Sequence, residues 1–535
     1  MIGMMSLWLA TLGNWPLWQA LARLPEMQGA VWRSLLPLGM VLLSFNLVMM
    51  SLLSWSPWRK PFGLLLLALT ATNIYFMQAY GVVIDPTMVA NAVHTDVREV
   101  KDLLTLDMVW PLLWGLVLPG LWWWRQPVKQ VPWRPALWQR LGLGALALAL
   151  LVLTLRVSFQ DLATTMRNHK SVRYMINPYN TAYALARLGL GRAAQAQQPL
   201  LPIGTDAQFV GTQADAAEQG PLLVLVVGET LRAANVGLGG YARDTSPRLT
   251  PLRQSGEVVY FDQVTSCGTN TQVSLPCMFS SQTRTDDRDA HNLENLLDVL
   301  QRAGLAVTWL DNQSGCKGLC DRVPHADVSA LSDPVLCPNG ACFDEVLRQQ
   351  LPVQLLQLDP IRRARMTVAV LHMMGSHGPA YFKRTPAQHK HFMPECTDQA
   401  LQNCDRASVI NAYDNTARYT DHVLAELIDF LKQQTRPTAL LFVSDHGESL
   451  GENGLYLHGM PFAMAPSEQT HVPMLVWLSK DWQTRQGSSM ACLAAKAGQA
   501  YAHDNFFHTV LGLAEVNSAL RSDVLDLGAS CRSAR

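Results

Sequence analysis

Long apolar segments occupy the first third of the chain and become rare after it. Each is close to the roughly 20 residues that an α-helix needs to cross a bilayer. The five segments are residues 4–22, 35–55, 62–84, 108–124 and 141–157. This pattern predicts a membrane domain of five helices over residues 1–158. The first segment contains Asn14 and Pro16, and a cleaved signal peptide is the alternative for it, although no basic residue precedes it.

The charges of the connecting loops predict how this domain is oriented. Loops 56–61 and 125–140 carry Lys and Arg but no Asp or Glu. Cytoplasmic loops are the ones that accumulate basic residues, so both are placed in the cytoplasm. The loop at 85–107, and everything after the fifth segment, is then expected on the outer side.

Two stretches outside the apolar segments have helical patterns of their own. Asn91, Thr95 and Glu99 recur at every fourth position, which places them on one face of a helix. The spacing alone favours a solvated helix at the membrane interface. Residues 159–177 are basic and amphipathic, as in a helix that lies on a membrane surface. Residues 159–220 are therefore interpreted as this helix followed by a linker.

Apolar runs alternate with amphipathic stretches in the remaining part, residues 221–535. A continuous apolar run is typical of a strand that is buried on both faces. Strands are predicted at 222–227, 306–310, 366–371, 439–443 and 472–477, and helices at 293–303, 342–354 and 411–433. This alternation predicts an α/β sandwich with a mostly parallel sheet.

All ten cysteines lie after residue 266, in close pairs. An even number clustered in one part of a chain favours disulfides in an oxidising compartment, which agrees with the outer side that the loop charges predict. A structural zinc site is the alternative, but the spacing is not C-x-x-C. In sequence order the pairs are Cys267 with Cys277, Cys316 with Cys320, Cys337 with Cys342, Cys396 with Cys404, and Cys492 with Cys531.

The length and net charge of the chain limit its possible functions. A chain of 535 residues has room for two or three domains. Its 42 basic residues balance its 42 acidic residues, so the net charge is zero. A protein that binds nucleic acid usually carries a basic surface, and no nucleic acid partner is therefore expected.

Three of the strand-like runs are followed by residues that bind metal ions. Glu229 follows the first run, His377 the third, and Asp445 and His446 the fourth, while His458 lies a little further on. Open α/β sheets build their sites at the carboxyl ends of strands. Each residue alone also fits a helix cap, a turn or a surface loop. Together they indicate a zinc site, because zinc takes both oxygen and nitrogen ligands.

The segment at 267–277 supplies a candidate nucleophile, Thr271, between two cysteines. A threonine hydroxyl is a poor nucleophile unless a base or a metal activates it. We expect the Thr271 oxygen to share one zinc ion with Glu229, Asp445 and His446, and to attack a phosphorus atom. Thr271 is also predicted to begin a helix, whose N-terminus favours an anionic phosphate.

Several motifs together resemble the lipid A phosphoethanolamine transferases, including the mobile colistin-resistance enzymes. These are inner-membrane members of the alkaline phosphatase and sulfatase superfamily, and the resemblance covers nearly the whole chain. The motifs are VGET at 227–230, CGTNT at 267–271 with its closing Pro276-Cys277, GSHGPAYFKR at 375–384, NAYDNT at 411–416, SDHGESLGE at 444–452 and LHGMPFA at 457–463.

The resemblance implies a fold, a reaction and a place in the cell. The fold is a five-helix transmembrane domain followed by an α/β sandwich of the alkaline phosphatase and sulfatase type. The reaction is zinc-dependent transfer of phosphoethanolamine from phosphatidylethanolamine to lipid A, through an intermediate on a threonine, and it confers polymyxin and colistin resistance. The protein would be a monomer in a Gram-negative inner membrane, with its catalytic domain in the periplasm.

The resemblance also implies roles for individual residues. Thr271 would carry the phosphoethanolamine, and Glu229, Asp445 and His446 would bind the catalytic zinc with it. His377 and His458 would serve the phosphate or a second zinc ion. Five further residues match positions that the family uses around its lipid substrate: Asn91, Thr95, Glu99, Ser314 and Lys317.

Other functions are compatible with part of this interpretation. The same fold could transfer to water, to a core sugar of lipopolysaccharide or to a protein glycan. A glycerol-phosphate polymerase of the lipoteichoic acid type is a second enzymatic alternative. A catalytically inactive binding or sensor domain is the alternative from a different class, although every expected ligand residue is present.

Overall fold

The computed structural model describes residues 1–24, 31–55, 58–93, 97–127, 132–196, 198–214, 219–286 and 292–532. The chain divides into two compact units. The first comprises Met1–Val89 and Leu103–Gly191, and the second comprises Ala90–Asp102 and Arg192–Arg535. The short segment Ala90–Asp102 therefore groups with the C-terminal part of the chain, although its neighbours in sequence belong to the first unit.

The described residues up to 196 form helices joined by turns and short loops. The helices are α1 (Ile2–Ala10), α2 (Trp15–Ala22), α3 (Val31–Leu53), α4 (Arg59–Tyr80), α5 (Pro86–Val93), α6 (Val97–Leu103), α7 (Val109–Leu112), α8 (Leu118–Arg125), α9 (Trp133–Asn168), α10 (Lys170–Tyr174) and α11 (Tyr179–Ala196). A π-helical turn at Leu113–Val117 joins α7 to α8.

Four helices of the described chain are long and apolar enough to cross a membrane: Leu35–Leu53, Arg59–Tyr80, Leu106–Arg125 and Trp133–Phe159. They correspond to four of the five predicted segments.

The first predicted segment, residues 4–22, is not one continuous helix. A 3-10 turn at Leu12–Asn14 separates α1 from α2, and Pro16 lies in the first turn of α2. Proline has no N–H to donate and its ring clashes with the carbonyl four residues earlier, so a helix cannot continue through Pro16 but can begin beside it.

Eight strands form the main sheet of the second unit, in the order β11-β3-β10-β7-β2-β6-β4-β5. Two small two-stranded sheets, β1 with β12 and β8 with β9, lie outside it. The strands are β1 (Gln208–Phe209), β2 (Leu222–Gly228), β3 (Val258–Thr265), β4 (Ala306–Asp311), β5 (His325–Asp327), β6 (Thr367–His372), β7 (Thr438–Ser444), β8 (Ser449–Leu450), β9 (Tyr456–Leu457), β10 (His471–Leu478), β11 (Ala500–Ala502) and β12 (Val516–Asn517).

The direction of the strands makes the main sheet mostly parallel, as predicted, but not entirely so. β10 runs antiparallel to both of its neighbours, β3 and β7. All other neighbouring pairs of the sheet are parallel.

Helices cover both faces of this sheet. Leu223, Leu225 and Val227 of β2 point into one hydrophobic core, and the alternate residues of the strand point into another. This arrangement explains the unbroken apolar run of β2, because both faces of the strand are buried. The α-helices of this unit are α12 (Leu249–Gln254), α13 (Thr271–Met278), α14 (Leu296–Arg302), α15 (Glu345–Leu356), α16 (Pro360–Arg365), α17 (Arg406–Lys432), α18 (Ser467–Thr470), α19 (Lys480–Gln486), α20 (Met490–Lys496) and α21 (Asp504–Leu513).

The ten cysteines form five disulfides, and no cysteine of the described chain is a free thiol. The bonds join Cys267 to Cys277, Cys316 to Cys320, Cys337 to Cys342, Cys396 to Cys404, and Cys492 to Cys531. The first four bonds are the short-loop pairs that the spacing predicts, and the fifth settles the pairing of Cys492 and Cys531, which the sequence leaves open.

Candidate active site

Two candidate metal ligands come together because they follow neighbouring parallel strands. Gly228 at the end of β2 pairs with Ser444 at the end of β7. The backbone N–H of Asp445 donates to the carbonyl of Gly228 at 2.9 Å. Glu229 and Asp445 therefore leave the same edge of the sheet side by side, as the strand-end rule predicts.

The backbone around Glu229 is held in an unusual conformation. Thr230 has φ of +53°, a left-handed geometry that β-branched residues rarely adopt. The Asp445 carboxylate accepts from the Thr230 N–H at 3.2 Å, and the Tyr413 hydroxyl donates to the Thr230 carbonyl at 2.7 Å. Such local strain is concentrated at functional sites, where surrounding contacts hold it in place.

Thr271 reaches this sheet edge as the first residue of α13. The side chain of Asn270 caps the helix by accepting from the N–H of Val273 at 3.1 Å. The disulfide between Cys267 and Cys277 encloses the turn and most of the helix. The nucleophile candidate therefore sits on a capped and cross-linked segment.

Four side chains place their polar atoms within a small buried space. The Thr271 hydroxyl donates to Oε2 of Glu229 at 3.0 Å and lies 3.4 Å from Nε2 of His446. That nitrogen is 3.4 Å from Oε1 of Glu229 and 3.4 Å from Oδ2 of Asp445. All four residues are buried.

The chemistry of this donor set fits a zinc ion. Oδ2 of Asp445 is buried and has no hydrogen-bond partner among the described residues. Nδ1 of His446 lies 3.0 Å from the carbonyl of Gly447, so the ring hydrogen belongs on Nδ1 and the lone pair of Nε2 faces the carboxylates. Two carboxylates, one imidazole and one hydroxyl are ligands that zinc accepts.

His377 and His458 lie beside this donor set, as the interpretation of the sequence requires. The ring centroids of His446 and His458 are 4.5 Å apart, and those of His377 and His458 are 5.4 Å apart. Burial, together with the neighbouring His458, holds the pKa of His377 well below its usual range. His377 is therefore a neutral imidazole at physiological pH.

A buried glutamate orients His458. Glu448 lies 3.1 Å from Nδ1 of His458 through one carboxylate oxygen and accepts from the Tyr381 hydroxyl at 2.9 Å through the other. A carboxylate on Nδ1 fixes the tautomer, so that Nε2 of His458 is the nitrogen with a lone pair.

The loop that carries His377 is attached directly to Glu229. The Ser376 N–H donates to the carbonyl of Glu229 at 2.9 Å. Gly375 has φ of +54°, and a Cβ at this position would come within 2.5 Å of the Glu229 carbonyl oxygen. Only glycine allows the loop to approach Glu229 this closely.

The structure adds three residues that the sequence interpretation missed: Asp311, Gln313 and His372. Nδ1 of His372 lies 3.0 Å from Oδ2 of Asp311, and the Gln313 amide donates to Oε2 of Glu229 at 3.2 Å. Asp311 and His372 end the adjacent strands β4 and β6. Their position at strand ends is a signal that would have found them.

Asp311 and His372 form a buried ion pair. Burial alone would favour the neutral carboxyl, but the charge of His372 and several hydrogen bonds outweigh it and lower the pKa of Asp311 to about 2. Burial likewise opposes the imidazolium, but Asp311 outweighs it and the pKa of His372 is raised.

Ser314 and Lys317 connect to the same network through Gln313. The Lys317 amine donates to the Ser314 hydroxyl at 2.7 Å, and that hydroxyl donates to Oε1 of the Gln313 side chain at 2.5 Å. Asn91 lies in α5. Thr95 and the side chain of Glu99 lie outside the described residues, so their predicted role stays a prediction.

A cavity of about 680 Å³ adjoins Gln313 and Ser314. Lys101, Lys383 and Arg384 contribute positive charge to its lining. Arg384 also donates to the carbonyl of His377 at 2.9 Å, which links the cavity to the histidine pair. The lining also contains Asp102 and Asp344, and Asp102 pairs with both Lys383 and Arg384, so the cavity has a lining of mixed charge.

Comparison with known proteins extends over both units. A family model described as Sulfatase matches residues 221–516, and one described as Phosphoethanolamine transferase EptA/EptB matches residues 42–192. The chain is 42% identical to phosphoethanolamine transferase EptA of Salmonella typhimurium, over 86% of this chain and 83% of that one. It is 38% identical to phosphatidylethanolamine transferase Mcr-1 of Escherichia coli, over 83% of each chain.

A solved structure resembles the whole chain. It is the integral membrane protein lipooligosaccharide phosphoethanolamine transferase A from Neisseria meningitidis. The two chains superpose with a TM-score of 0.92 at 35% identity, covering 100% of this chain and 98% of that one.

Proposed function

Because the chain belongs to the phosphoethanolamine transferase family, as its motifs predicted, we propose that it is a zinc-dependent enzyme that transfers phosphoethanolamine from phosphatidylethanolamine to lipid A. The observation that carries the proposal is the position of the Thr271 hydroxyl. It lies 3.0 Å from Glu229 and 3.4 Å from His446, within a donor set that suits zinc. A nucleophile at a metal site is the arrangement that phosphoryl transfer through a covalent intermediate needs.

Glu229, Asp445 and His446 would hold the zinc ion together with Thr271. When bound there, zinc would lower the pKa of the threonine hydroxyl and supply positive charge near the phosphate. Glu229 Oε2 already accepts the hydrogen bond of that hydroxyl, so it is placed to receive the proton.

In the first half-reaction, the Thr271 oxygen attacks the phosphorus of phosphatidylethanolamine. The new bond from Thr271 to phosphorus forms as the bond from phosphorus to the glycerol oxygen breaks, and diacylglycerol leaves with a proton. In the second half-reaction, a phosphate oxygen of lipid A attacks the same phosphorus, and Thr271 is released. The enzyme returns to its starting state with no redox change.

His377 and His458 would bind the non-reacting phosphate oxygens or a second zinc ion. The lowered pKa of His377 bears on how it would do so, because a neutral imidazole offers one N–H and one lone pair. His377 would then contact the phosphate as a neutral hydrogen-bond donor, or bind metal, but not act as a fixed cation. The cavity beside Gln313 would accept the sugar-phosphate part of the acceptor, with Lys101 as a cation in its lining.

Ser314 and Lys317 extend the proposed substrate region from the Gln313 amide, and Asn91, Thr95 and Glu99 would meet the lipid head groups. Both substrates would be lipids in the same leaflet of the Gram-negative inner membrane. Five disulfides suit a periplasmic catalytic unit, since that compartment is oxidising. A fifth membrane span, formed by α1 and α2 together, would complete the odd number that this orientation requires.

Polymyxin and colistin resistance would follow from the product. An added ethanolamine carries a positive charge that offsets a phosphate charge of lipid A. Cationic peptides bind that surface through its negative charge, so they would bind the modified lipid more weakly.

Mass spectrometry of lipid A tests this function. Gram-negative cells would express the unmodified chain, the Thr271→Ala variant and the Thr271→Ser variant, which restores a hydroxyl. We expect a phosphoethanolamine adduct with the unmodified chain, a smaller amount with Thr271→Ser and none with Thr271→Ala. A full adduct with Thr271→Ala would refute the nucleophile, and no adduct from the membrane-inserted unmodified chain would refute lipid A as the acceptor.

A further inference from the structure

A second group of metal-ligating side chains lies among residues that the transfer reaction does not use. Glu345, His389 and His422 each offer one ligand atom, and these atoms lie within 4.8 Å of one another. Nε2 of His422 is 2.7 Å from Oε1 of Glu345, and Nε2 of His389 is 4.0 Å from the same oxygen. None of the three belongs to the donor set around Thr271.

We propose that Glu345, His389 and His422 form a separate binding site for a zinc-class divalent cation. Two imidazoles and one carboxylate are a recurring ligand set for zinc, and they leave the fourth position to water. The three side chains are between 20% and 25% exposed, so an ion and its water can reach them from solvent.

Three separate elements bring these ligands together. Glu345 is the first residue of α15, His422 lies within α17, and His389 ends a 3-10 turn at Ala387–His389. The histidine rings are 4.2 Å apart, and the ring of Tyr419 is stacked on His422. This packing limits the rotation of both imidazoles, so the ligands are already close to one another before an ion arrives.

The protonation states suit a metal site. Hydrogen bonding and charge from His422, and charge from His389, outweigh burial and keep the pKa of the Glu345 carboxyl low. Burial and the neighbouring His422 lower the pKa of His389. Both shifts favour the forms that bind a cation, a charged carboxylate and a neutral imidazole.

Metal binding requires one change in the hydrogen bonds of His422. In the present arrangement Nδ1 lies 3.1 Å from a guanidinium nitrogen of Arg248, which makes Nε2 the donor to Glu345. With a metal on Nε2 the ring hydrogen would move to Nδ1, where it would face a guanidinium N–H, so the Arg248 side chain would have to turn away from the ring. Arg248 would keep its two carboxylate partners, Glu426 at 2.5 Å and Asp429 at 2.7 Å.

The site has a short connection to the loop of His377. Asp344, which precedes Glu345, accepts from the N–H groups of Met374 and Gly375 at 2.8 and 2.9 Å. An ion that fixes the start of α15 would also steady this loop. We therefore expect a structural ion, whose loss lowers the melting temperature and leaves the transferred group unchanged.

Zinc stoichiometry of the purified full-length protein in detergent tests the proposal. The protein would be stripped with a chelator, dialysed against zinc and analysed by elemental mass spectrometry. We expect Glu345→Gln, His389→Gln and His422→Gln each to bind one zinc fewer per chain than the unmodified protein. His325→Gln replaces an exposed histidine outside the cluster and is expected to bind as much zinc as the unmodified protein. Equal zinc content in all variants would overturn the proposal.

A second measurement does not depend on any variant folding. Anomalous X-ray scattering at the zinc edge, from crystals of the unmodified chain grown with zinc, should give a peak between the three side chains. The absence of that peak would overturn the proposal and leave a hydrogen-bonded cluster. Neither measurement depends on transferase activity, so a failure here is distinct from a failure of the proposed function.

Discussion

The hydroxyl of Thr271 donates a hydrogen bond of 3.0 Å to Oε2 of Glu229, across 42 positions of sequence. Glu229 follows the central strand β2, while Thr271 begins the disulfide-linked helix α13. The contact therefore joins a strand that is buried on both faces to a separately braced helix. Such bracing holds a nucleophile in position before substrate arrives, which lowers the cost of orienting it.

Replacing Asp445 should separate metal binding from folding. The Asp445→Asn variant keeps the shape of the side chain but removes one of two buried carboxylates that are close to His446. We expect it to lose zinc at the catalytic site and the stabilisation that zinc provides, which is about 2.7 kcal/mol when zinc is present at a hundred times its Kd. Thermal unfolding with and without chelator would measure this.

The control for this prediction is the metal-free protein. In chelator, Asp445→Asn should be at least as stable as the unmodified chain, because it relieves repulsion between buried carboxylates. If zinc raised the melting temperature of both proteins by the same amount, this would contradict Asp445 as a zinc ligand.

The buried pair of Asp311 and His372 should give a characteristic pH dependence of stability. The lowered pKa of Asp311 contributes stability above its ordinary value of 3.8, which is lost as the pH falls through about 2. The raised pKa of His372 contributes stability below its ordinary value of 6.5, which is lost as the pH rises through the folded pKa. The pair is therefore fully effective from about pH 4 to about pH 6.5.

Asp311→Asn should lower the free energy of unfolding by about 3 kcal/mol within that window, because it leaves a buried charged imidazole without its partner. Denaturant unfolding in chelator, from pH 4 to pH 9, would measure the difference. We expect the difference to shrink at alkaline pH. A difference that grows as the pH rises above 7 would show that His372 is not charged in the folded protein.

Glu448 should affect catalysis without affecting the catalytic zinc. The carboxylate of Glu448 accepts hydrogen bonds from Tyr381 and His458. In Glu448→Gln one of its oxygens becomes an NH₂ group, which would face one of these two donors. We expect kcat to fall by about tenfold, as for other residues that orient site histidines, with unchanged zinc content. Glu452→Gln, which removes a carboxylate partner of Arg232 instead, is the matched control. Loss of the zinc ion held by Glu229, Asp445 and His446 from the Glu448 variant would contradict this role.

The disulfide between Cys267 and Cys277 should stabilise the nucleophile segment. It closes a loop with a sequence separation of 10 residues, and removing a disulfide across a loop of this size costs about 3 kcal/mol in chain entropy. The double variant Cys267→Ser/Cys277→Ser should unfold at lower denaturant. The double variant Cys492→Ser/Cys531→Ser is the comparison, since it should lose stability while keeping activity per folded molecule. Equal activity in the two variants would show that the first disulfide does not position Thr271.

Much of the catalytic unit could be predicted from the sequence because its strands are buried on both faces. β2, β6 and β7 read as continuous apolar runs, and the sequence predicts candidate ligands in the residues that follow them. β3 was missed although it contains Val258-Val259-Tyr260-Phe261, a run typical of strands. The antiparallel direction of β10 depends on chain connections that no local pattern records.

The candidate site was predicted less completely. Asp311 and His372 interact across 61 positions, and each looks like an ordinary strand end until β4 and β6 are paired. In the membrane part, by contrast, the sequence predicted a more continuous helix than the structure contains. Apolar content predicted one helix across residues 4–22, but Pro16 has no N–H to donate and its ring would clash with the carbonyl four residues earlier, so the segment forms two helices.

Detection of the covalent intermediate tests the central claim most directly. Purified protein would be incubated with phosphatidylethanolamine labelled in its head group, without an acceptor, then digested and analysed by mass spectrometry. The account predicts labelled phosphoethanolamine on the peptide that contains Thr271, and its release when lipid A is added. Thr271→Ala should carry no label. Transfer of the label to lipid A by Thr271→Ala, or label on a different residue of the active protein, would contradict the account.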